Sequence, residues 1–419
     1  MDKEIKKTKL YEWHKKNNAN MAEFGGYEMP LWYSSAKNEH LIVLTNVGIF
    51  DTSHMASVIV SGADSFDLLQ HCFTSNLSQC IGSKKEKIFP GRAVYGVFLN
   101  NKGEVIDDAI VFMITQEKFI VVVNAGMGKT ITDHLNKNNN DRDANIRDLT
   151  DNLGKMDIQG PQSAEVMAKI LADPEKVFHN MPYFSFKGFF EPDAKDAGEV
   201  ILKNDIPIIL SRTGYTGEFG FEIFTPPGCF VDVWELVLKA GEEFNIMTCG
   251  LAARDSLRTG AVLPLSHQDI GHWPFINTPW NFALPYTDDG KKFTKDFIGS
   301  NALLNMKNPE YTYPFAGNDL RKVTLPAAVL DKDEKEIGTV LTCATDMAIG
   351  LCENKIYSIA SPDKPENFKA KGLSCGFVKV TKAISLGEKL ILKDSRRKIE
   401  VRIVNDIRPH RSARNIMKK

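Results

Sequence analysis

The 419-residue sequence contains no apolar run that approaches the ~18 residues needed for a membrane-spanning helix. Its first ten residues, MDKEIKKTKL, also lack the apolar stretch of a secretory signal, and their acidic residues are untypical of a transit peptide. We therefore expect a protein that neither spans a membrane nor enters the secretory pathway, and that is located in the cytoplasm.

The sequence also lacks an excess of either charge and any cysteine pairing pattern. Lys and Arg number 52 against 53 Asp and Glu, which argues against a nucleic-acid-binding protein that works through bulk positive charge. The seven cysteines are scattered and include no CxxC pair, which argues against a disulfide framework or a cysteine zinc site and fits a reducing compartment. Both ends of the chain are locally basic, either as solvated termini or as a docking patch for an acidic partner.

Sequence motifs for nucleotides and metals are incomplete. The segment GMGKT at Gly126–Thr130 would need a glycine at position 123 to form a phosphate loop, and Val123 stands there. No GxGxxG follows a predicted strand, no HExxH occurs, and His267 and His272 are five residues apart. We therefore predict neither a nucleotide-binding loop nor a metal site.

Apolar alternation and turn residues predict an α+β fold. A helix, SFDLLQHCF, follows the first of several short strands, and NNKG between the second and third strands has the chemistry of a hairpin turn. A meander with helices against one face is typical of α+β proteins rather than doubly wound ones. The predicted strands are Ala56–Val60, Ala93–Leu99, Val105–Met113 and Phe119–Val123.

The pattern changes towards the C-terminus. The Asn- and Asp-rich stretch Asn136–Asn145 is predicted to be a surface loop, and DVWELVLKAGEEF to be a helix. From about residue 321 the chain consists of short strands separated by turns, which predicts a small β-barrel or sandwich. At roughly 100–200 residues per domain, we expect a core of residues 1–320 and a C-terminal β domain of residues 321–419.

Two adjacent carboxylates, Asp107 and Asp108, interrupt the apolar strand VIDDAIVF. A buried charge without a partner is costly or has a shifted pKa, so two of them in such a strand are unusual. Alternation places the two side chains on opposite faces, which allows one to face solvent and the other a pocket. The alternative is a solvated pair at the end of a turn.

Two further segments carry candidate binding residues. In RTGYTGEFGFE, Arg212–Glu222, glycines allow close approach to a ligand, Tyr215 suits a flat ring and Glu222 can accept from a ring N–H. The alternative there is a glycine-rich hairpin with an exposed Glu218. In GLAARDSLR, Arg254 is suited to binding a carboxylate, unless it forms a surface pair with its neighbour Asp255.

Taken together, these segments resemble the glycine cleavage T-protein (aminomethyltransferase) family. Eight motifs occur in the family's order, and the match spans roughly residues 8–305. The motifs are MAEFGGYEMPLWY, GIFDTSHM, NKGEVIDDAIV, VVNA, IQGP, RTGYTGEFGFE, GLAARDSLR and DFIGSNA.

The resemblance implies a three-domain cloverleaf, with two interleaved α+β domains and a C-terminal β-barrel-like domain around a central tetrahydrofolate site. It implies that Asp108 is the catalytic aspartate near the reactive pterin nitrogens, orienting folate and assisting proton movement. It also implies that Glu222 holds the pterin ring. The other implied folate-site residues are Tyr95 and Tyr215 at the ring, Arg254, and the pocket-lining Met55 and Asn124.

The sequence departs from the family pattern where the one-carbon donor is expected. Gly260 and Asn281 stand at positions of family glutamates, and Phe282 replaces a small residue. The segment SHQDIGHWPFIN, Ser266–Asn277, is longer and more aromatic than the family's connection, and the C-terminal domain has an extra loop at about Ile356–Lys369. These changes predict a rebuilt donor side.

On that side His267, Asp269 and Trp280 are candidate substrate-facing residues. Trp273 and Trp280 would suit a cationic methylated group through cation–π contact. The alternatives are loop residues that cap a turn, and tryptophans that only pack.

Three functions follow as hypotheses. The first is aminomethyl transfer from a lipoylated carrier protein to tetrahydrofolate. The second is tetrahydrofolate-dependent demethylation of a small N-, S- or O-methylated substrate. The third is a non-enzymatic folate-binding accessory protein, against which the retention of Asp108 speaks.

Overall fold

The computed structural model describes residues 5–189 and 199–417. The helices are α1 (Tyr11–Lys16), α2 (Ala36–Thr45), α3 (Ser65–Cys72), α4 (Gly128–Lys137), α5 (Ser163–Ile170), α6 (Pro174–Phe178), α7 (Phe230–Gly241), α8 (Leu251–Gly260) and α9 (Ser300–Leu304).

The strands of the N-terminal two thirds are β1 (Lys6–Lys7), β2 (Asn20–Phe24), β3 (Tyr27–Trp32), β4 (Gly48–Asp51), β5 (Ala56–Ser61), β6 (Arg92–Leu99), β7 (Val105–Thr115), β8 (Lys118–Val123), β9 (Asn145–Asp148), β10 (Gly154–Gln159), β11 (Phe186–Lys187), β12 (Ile209–Ser211), β13 (Gly220–Thr225) and β14 (Met247–Thr248). The C-terminal strands are β15 (Tyr311–Gly317), β16 (Ala328–Leu330), β17 (Glu336–Asp346), β18 (Ile349–Cys352), β19 (Lys355–Ser358), β20 (Leu373–Val380), β21 (Lys389–Lys393) and β22 (Lys398–Ile403).

The first large sheet has the strand order β6-β7-β8-β5-β9 and is antiparallel. The turn at NNKG joins β6 to β7, with Val97 opposite Asp108 across the hairpin. One face of this sheet buries Val111 and Met113 against Leu68 and Leu69 of α3. The predicted strands, hairpin and helix of this region are therefore confirmed, because alternation and turn chemistry are local signals.

The second large sheet has the order β11-β12-β13-β10-β4-β14. The chain leaves this sheet after β4, builds the first sheet from β5 to β9, and returns at β10. Phe112 of the first sheet packs against Phe186 and Phe224 of the second, with ring centroids 5.3 and 5.7 Å apart. The two α+β units are thus interleaved in sequence, as predicted, and they pack face to face.

The C-terminal strands close into a barrel of order β15-β20-β17-β16-β21-β22. Its first strand, β15, begins at Tyr311, so a boundary after residue 320 separates this strand from its barrel. This strand, in the sequence KNPEYTYPF, is hard to recognise because it contains Pro314, and a proline is untypical inside a strand. The barrel itself is as predicted.

The predicted loop Asn136–Asn145 is wrong at both ends. Helix α4 continues to Lys137 because Ile131 and Leu135 are buried on its inner face, and β9 already begins at Asn145. None of the helices in the described part of the chain is both long and apolar enough to cross a bilayer.

Candidate active site

A cavity of about 1440 Å³ lies where the two sheets, α8 and the barrel domain meet. Nine of the ten predicted site residues line it, although they come from segments that are far apart in sequence. These nine are Met55, Tyr95, Asp108, Asn124, Tyr215, Glu222, Arg254, His267 and Trp280. Within the described residues, no group of three or more His, Cys, Asp or Glu side chains is arranged to hold a metal ion.

Asp107, near the start of β7, has no exposed surface. Its carboxylate accepts hydrogen bonds from the backbone N–H of Asn124 (2.9 Å), the Nδ2 of Asn124 (2.8 Å) and the Oγ of Ser266 (2.7 Å). The prediction that one carboxylate of this pair faces solvent is therefore wrong. The segment that contains Ser266 folds over the end of β7 and replaces water with a hydroxyl donor, so that the buried carboxylate is hydrogen-bonded.

Asp108 lies beside it at the cavity wall. The hydroxyl of Tyr95 donates to its Oδ2 at 2.9 Å, and the Nδ2 of Asn124 donates to its Oδ1 at 2.6 Å. Burial, followed by the negative charge of Asp107, raises the pKa of Asp108 to about 7, although the two hydrogen bonds oppose that rise. Asp108 is therefore a carboxyl group that exchanges its proton near neutral pH, as a general acid or base requires.

A second group of charges crosses β10, β13 and α8. The Nζ of Lys155 lies 2.7 Å from Glu222 Oε1 and 2.8 Å from Asp157 Oδ1, and the Nη1 of Arg254 lies 2.7 Å from Asp157 Oδ2. Thr213 completes the group by donating to Glu222 Oε2 at 2.5 Å. We call Glu222, Lys155, Asp157 and Arg254 the paired charge cluster.

Charges alternate through the paired charge cluster, so that each buried ion has an opposite neighbour. Burial alone would raise the pKa of Asp157, but the charges of Lys155 and Arg254 outweigh it and lower this pKa to about 2. The pKa of Lys155 is raised, because its two carboxylate partners outweigh its own burial. Lys155 and Asp157 therefore remain ionised at neutral pH. Lys155, Glu222 and Arg254 of the cluster line the cavity and supply it with donors and acceptors.

Lys155 and Asp157 were not among the predicted site residues. The signal for them is present in β10, GKMDIQ, because two charges at alternate positions of a buried strand share one face. Their partners are not visible in sequence, since Glu222 stands 67 positions from Lys155 and Arg254 stands 97 positions from Asp157.

Tyr215 and Arg254 form another part of the wall. The Tyr215 hydroxyl donates to the backbone carbonyl of Pro264, and the Arg254 guanidinium lies 4.8 Å from the centre of the Tyr215 ring. Burial raises the pKa of Tyr215, which keeps its hydroxyl a donor. Glu218, the alternative exposed residue of this segment, is buried and paired with Arg408 at 3.2 Å.

His54 is a further buried group at the cavity. It has 1% exposure, and its Nδ1 has no hydrogen-bond partner within the described chain. Burial lowers the pKa of His54 to about 4, so the ring is neutral at physiological pH. Phe24 and Tyr27 pack against it edge-on at 5.7 and 6.4 Å.

The predicted donor-side residues divide into two kinds. His267 lines the cavity, whereas Asp269 does not. Asp269 has no exposed surface, is paired with Arg258, and accepts from Thr342 Oγ1 at 2.6 Å. The expectation that Asp269 faces the substrate is thus not met, because its carboxylate ties this loop to the barrel domain.

Trp280 lines the cavity, but it is only 1% exposed and its ring packs edge-on against Phe377 at 5.1 Å between centroids. Its Nε1 donates to the Val262 carbonyl at 2.9 Å. Phe282, by contrast, is 70% exposed and lies 5.8 Å from Tyr95 between ring centroids. Phe282 is therefore the aromatic residue of this segment that is free to meet a ligand beside Asp108.

Gly260 does not belong to the donor side. A Cβ at this position would lie 1.9 Å from Asp346 Oδ2 and 2.7 Å from Arg408 Nη1. Gly260 thus leaves room for a buried ion pair of the barrel domain, Asp346–Arg408 at 2.6 Å. Asn281 is exposed and accepts from the Thr278 N–H at 3.3 Å, so it too lies outside the cavity wall.

Comparison with known proteins places this architecture in a family. The sequence matches the GCVT N-terminal domain over residues 10–273. It is 32% identical over 353 residues to an aminomethyltransferase of Staphylococcus carnosus, covering 84% of this chain and 89% of that protein. It is 33% identical over 341 residues to an aminomethyltransferase of Caldanaerobacter subterraneus subsp. tengcongensis, covering 81% and 84%.

A solved structure has the same fold. The glycine cleavage system aminomethyltransferase T of Bartonella henselae superimposes with a TM-score of 0.75 over 96% of this chain and 97% of that one, at 24% sequence identity. The predicted three-domain fold and the predicted class, a one-carbon transferase resembling aminomethyltransferase, are confirmed. The chain belongs to the GCVT family.

Proposed function

We propose that this protein transfers the one-carbon unit of an aminomethyl group to tetrahydrofolate in the described cavity. The observation that carries the proposal is Asp108, a carboxyl group with a pKa of about 7 at the cavity wall. The relatives named aminomethyltransferase support the same reaction class.

The donors and acceptors of the cavity fit a reduced folate. A pterin ring presents N–H and amino donors along its edge, and Glu222 supplies a carboxylate acceptor at the cavity wall. Both oxygens of Glu222 are already hydrogen-bonded, but each carboxylate oxygen can accept more than one hydrogen bond. The benzoyl-glutamate end of folate is anionic, and Arg411 and Arg414 at the cavity wall have the complementary charge.

Each predicted folate-site residue has a definite task in this proposal. Glu222 and Arg254, fixed within the paired charge cluster, would hold the ring. Tyr95, Tyr215 and the adaptable side chain of Met55 would line its faces. Bound tetrahydrofolate supplies the nitrogen that accepts the carbon unit.

Asp108 then acts as the proton acceptor for that nitrogen, because its ionised form is available near neutral pH. Asn124 holds Asp108 through Oδ1 and Tyr95 holds it through Oδ2, so both oxygens are oriented before substrate binds. Such preorganisation lowers the cost of reaching the reactive arrangement.

For the donor, we propose a lipoylated carrier protein. Support comes from the solved relative that is named as part of the glycine cleavage system. A small methylated donor and a non-enzymatic accessory role are not favoured by relatives that cover more than 80% of the chain and are named aminomethyltransferase.

The proposal is tested by incubating the protein with tetrahydrofolate and an aminomethyl-loaded lipoyl carrier, followed by mass analysis of the folate product and an ammonia assay. We expect methylenetetrahydrofolate and ammonia with the loaded carrier and neither with the unloaded carrier. Equal turnover of free methylated amines, sulfonium compounds or methoxy aromatics would instead identify a demethylase. Folate binding without turnover of any donor would identify an accessory protein.

A further inference from the structure

His267 occupies an unusual place in the cavity wall. It lies in the segment SHQDIGHWPFIN, and its backbone is left-handed, with φ of 63°. This conformation is uncommon for residues other than glycine, although His and Asn adopt it more readily than most. The side chain is 35% exposed, and its Nε2 lies 3.6 Å from Asp107 Oδ1.

The surroundings of Asp107 and Asp108 are otherwise poor in positive charge. Asn124, Ser266 and Tyr95 are neutral donors. In the part of the chain that the structure describes, the basic side chain at ion-pair distance from this carboxylate pair is His267. Two adjacent carboxylates disfavour each other's ionised forms, and a nearby positive charge relieves that effect.

We propose that His267 is a positioning residue: its protonated imidazole, held against Asp107, sets the pH at which Asp108 releases its proton. The charge on His267 offsets the charge of Asp107, so that Asp108 ionises more readily. Asp107 in turn favours the charged imidazole, because the proximity of its carboxylate raises the pKa of His267 against the opposing effect of burial.

This arrangement gives each carboxylate a separate task. Asp107 binds the loop through Ser266 and faces His267, whereas Asp108 faces the cavity. Tyr95 and Tyr215 are the tyrosines that interact with Asp108, and burial raises the pKa of both, which keeps them neutral. His267 is therefore the neighbour whose charge changes in the pH range where Asp108 works.

The test is a pH titration of Asp108 in the protein without any donor, by infrared spectroscopy of isotope-labelled aspartate, with the signal assigned through D108N. His267→Asn removes the charge and retains a residue at ease in the left-handed region. We expect the pKa of Asp108 to rise by about one pH unit. His267→Lys, which keeps a positive charge, should hold that pKa at or below its original value.

The matched control is His272→Asn in the same segment. The His272 ring lies 5.6 Å from that of His267, and it has no described ion pair with Asp107. This variant should leave the titration of Asp108 unchanged. Equal pKa values of Asp108 in the wild type and H267N, or equal shifts in H267N and H272N, would overturn the proposal.

A reciprocal measurement covers the case in which H267N does not fold. The imidazole of His267 should titrate above its ordinary pKa in the wild type, and its pKa should fall in D108N, since linkage is mutual. An unchanged His267 pKa in D108N would also overturn the proposal. The inference rests on the role of Asp108 in the proposed function. Neither titration requires turnover, so both can be measured and interpreted even if aminomethyl transfer is not observed.

Discussion

Asp108 of β7 and Glu222 of β13 line the same cavity, but the carboxylates of these two regions have different partners. Asp157 and Glu222 each lie within 3 Å of a lysine or arginine nitrogen. Asp107 and Asp108 have neutral donors and a histidine at 3.6 Å. The pKa of Asp157 is accordingly lowered to about 2, whereas that of Asp108 is raised to about 7.

This difference distinguishes carboxylates that position a ligand from a carboxyl group that can take part in proton transfer. A carboxylate with a permanent cationic partner keeps its charge and can position a ligand, but it exchanges protons poorly at neutral pH. A carboxyl group that is buried beside a like charge exchanges its proton easily, at a cost in stability. Opposite responses to substitution are therefore expected in the two regions.

The largest effect is expected for Asp108→Asn. Loss of the proton acceptor should reduce kcat by about 100- to 10,000-fold, while folate binding remains, because the paired charge cluster is untouched. Turnover with the loaded carrier and folate binding by calorimetry would be measured on the same preparation. Loss of binding in parallel with turnover would show that Asp108 holds the ligand rather than acting in the reaction.

Lys155→Met should lower the free energy of unfolding by about 3–5 kcal/mol, because Glu222 and Asp157 would be left as buried charges without their shared cation. Denaturant unfolding measures this change. The matched control is Lys129→Met, in an exposed pair with Asp133, for which less than about 1 kcal/mol is expected. Equal losses of stability in the two variants would show that the buried cation of the paired charge cluster contributes no more than an exposed one.

At pH 8, Asp108→Asn and Asp157→Asn should change the free energy of unfolding in opposite directions. The raised pKa of Asp108 means that its ionisation destabilises the fold as pH rises from about 4 towards 7, so D108N should be more stable by about 1–2 kcal/mol. The lowered pKa of Asp157 means that its ionisation stabilises the fold above about pH 4, and this stability is lost as pH falls towards 2. D157N should therefore be less stable, and thermal unfolding of both variants checks the signs.

The smallest effect is expected in the pH dependence of turnover. It compares the two regions directly, because turnover depends on Asp108 and folate binding on the paired charge cluster. If ionised Asp108 is the proton acceptor, kcat/KM should fall about tenfold per pH unit below pH 7. Folate binding should stay nearly constant between pH 5 and 8, since Asp157 is ionised throughout that range. A rate that rises as pH falls would assign Asp108 the role of an acid.

Much of the local structure could be predicted from sequence. The β6–β7 hairpin follows from alternation and the NNKG turn, and α7 follows from the helical pattern of DVWELVLKAGEEF. Prediction was wrong where a tertiary contact overrides the local pattern. Asp107 is buried because a segment 159 positions away supplies Ser266, and Asp269 is withdrawn from the cavity by Thr342, 73 positions away.

The sequence by itself determined the β6–β7 hairpin and several other strands and helices, the family resemblance, and the candidates Asp108, Tyr215, Glu222 and Arg254. Only the tertiary structure decided which charges are compensated. It joined Lys155 to Glu222, set Gly260 against Asp346, and left Asp108 beside Asp107 with a histidine as the basic neighbour. The physical reason is that periodicity is local, whereas burial and charge pairing depend on segments that meet only when the chain is folded.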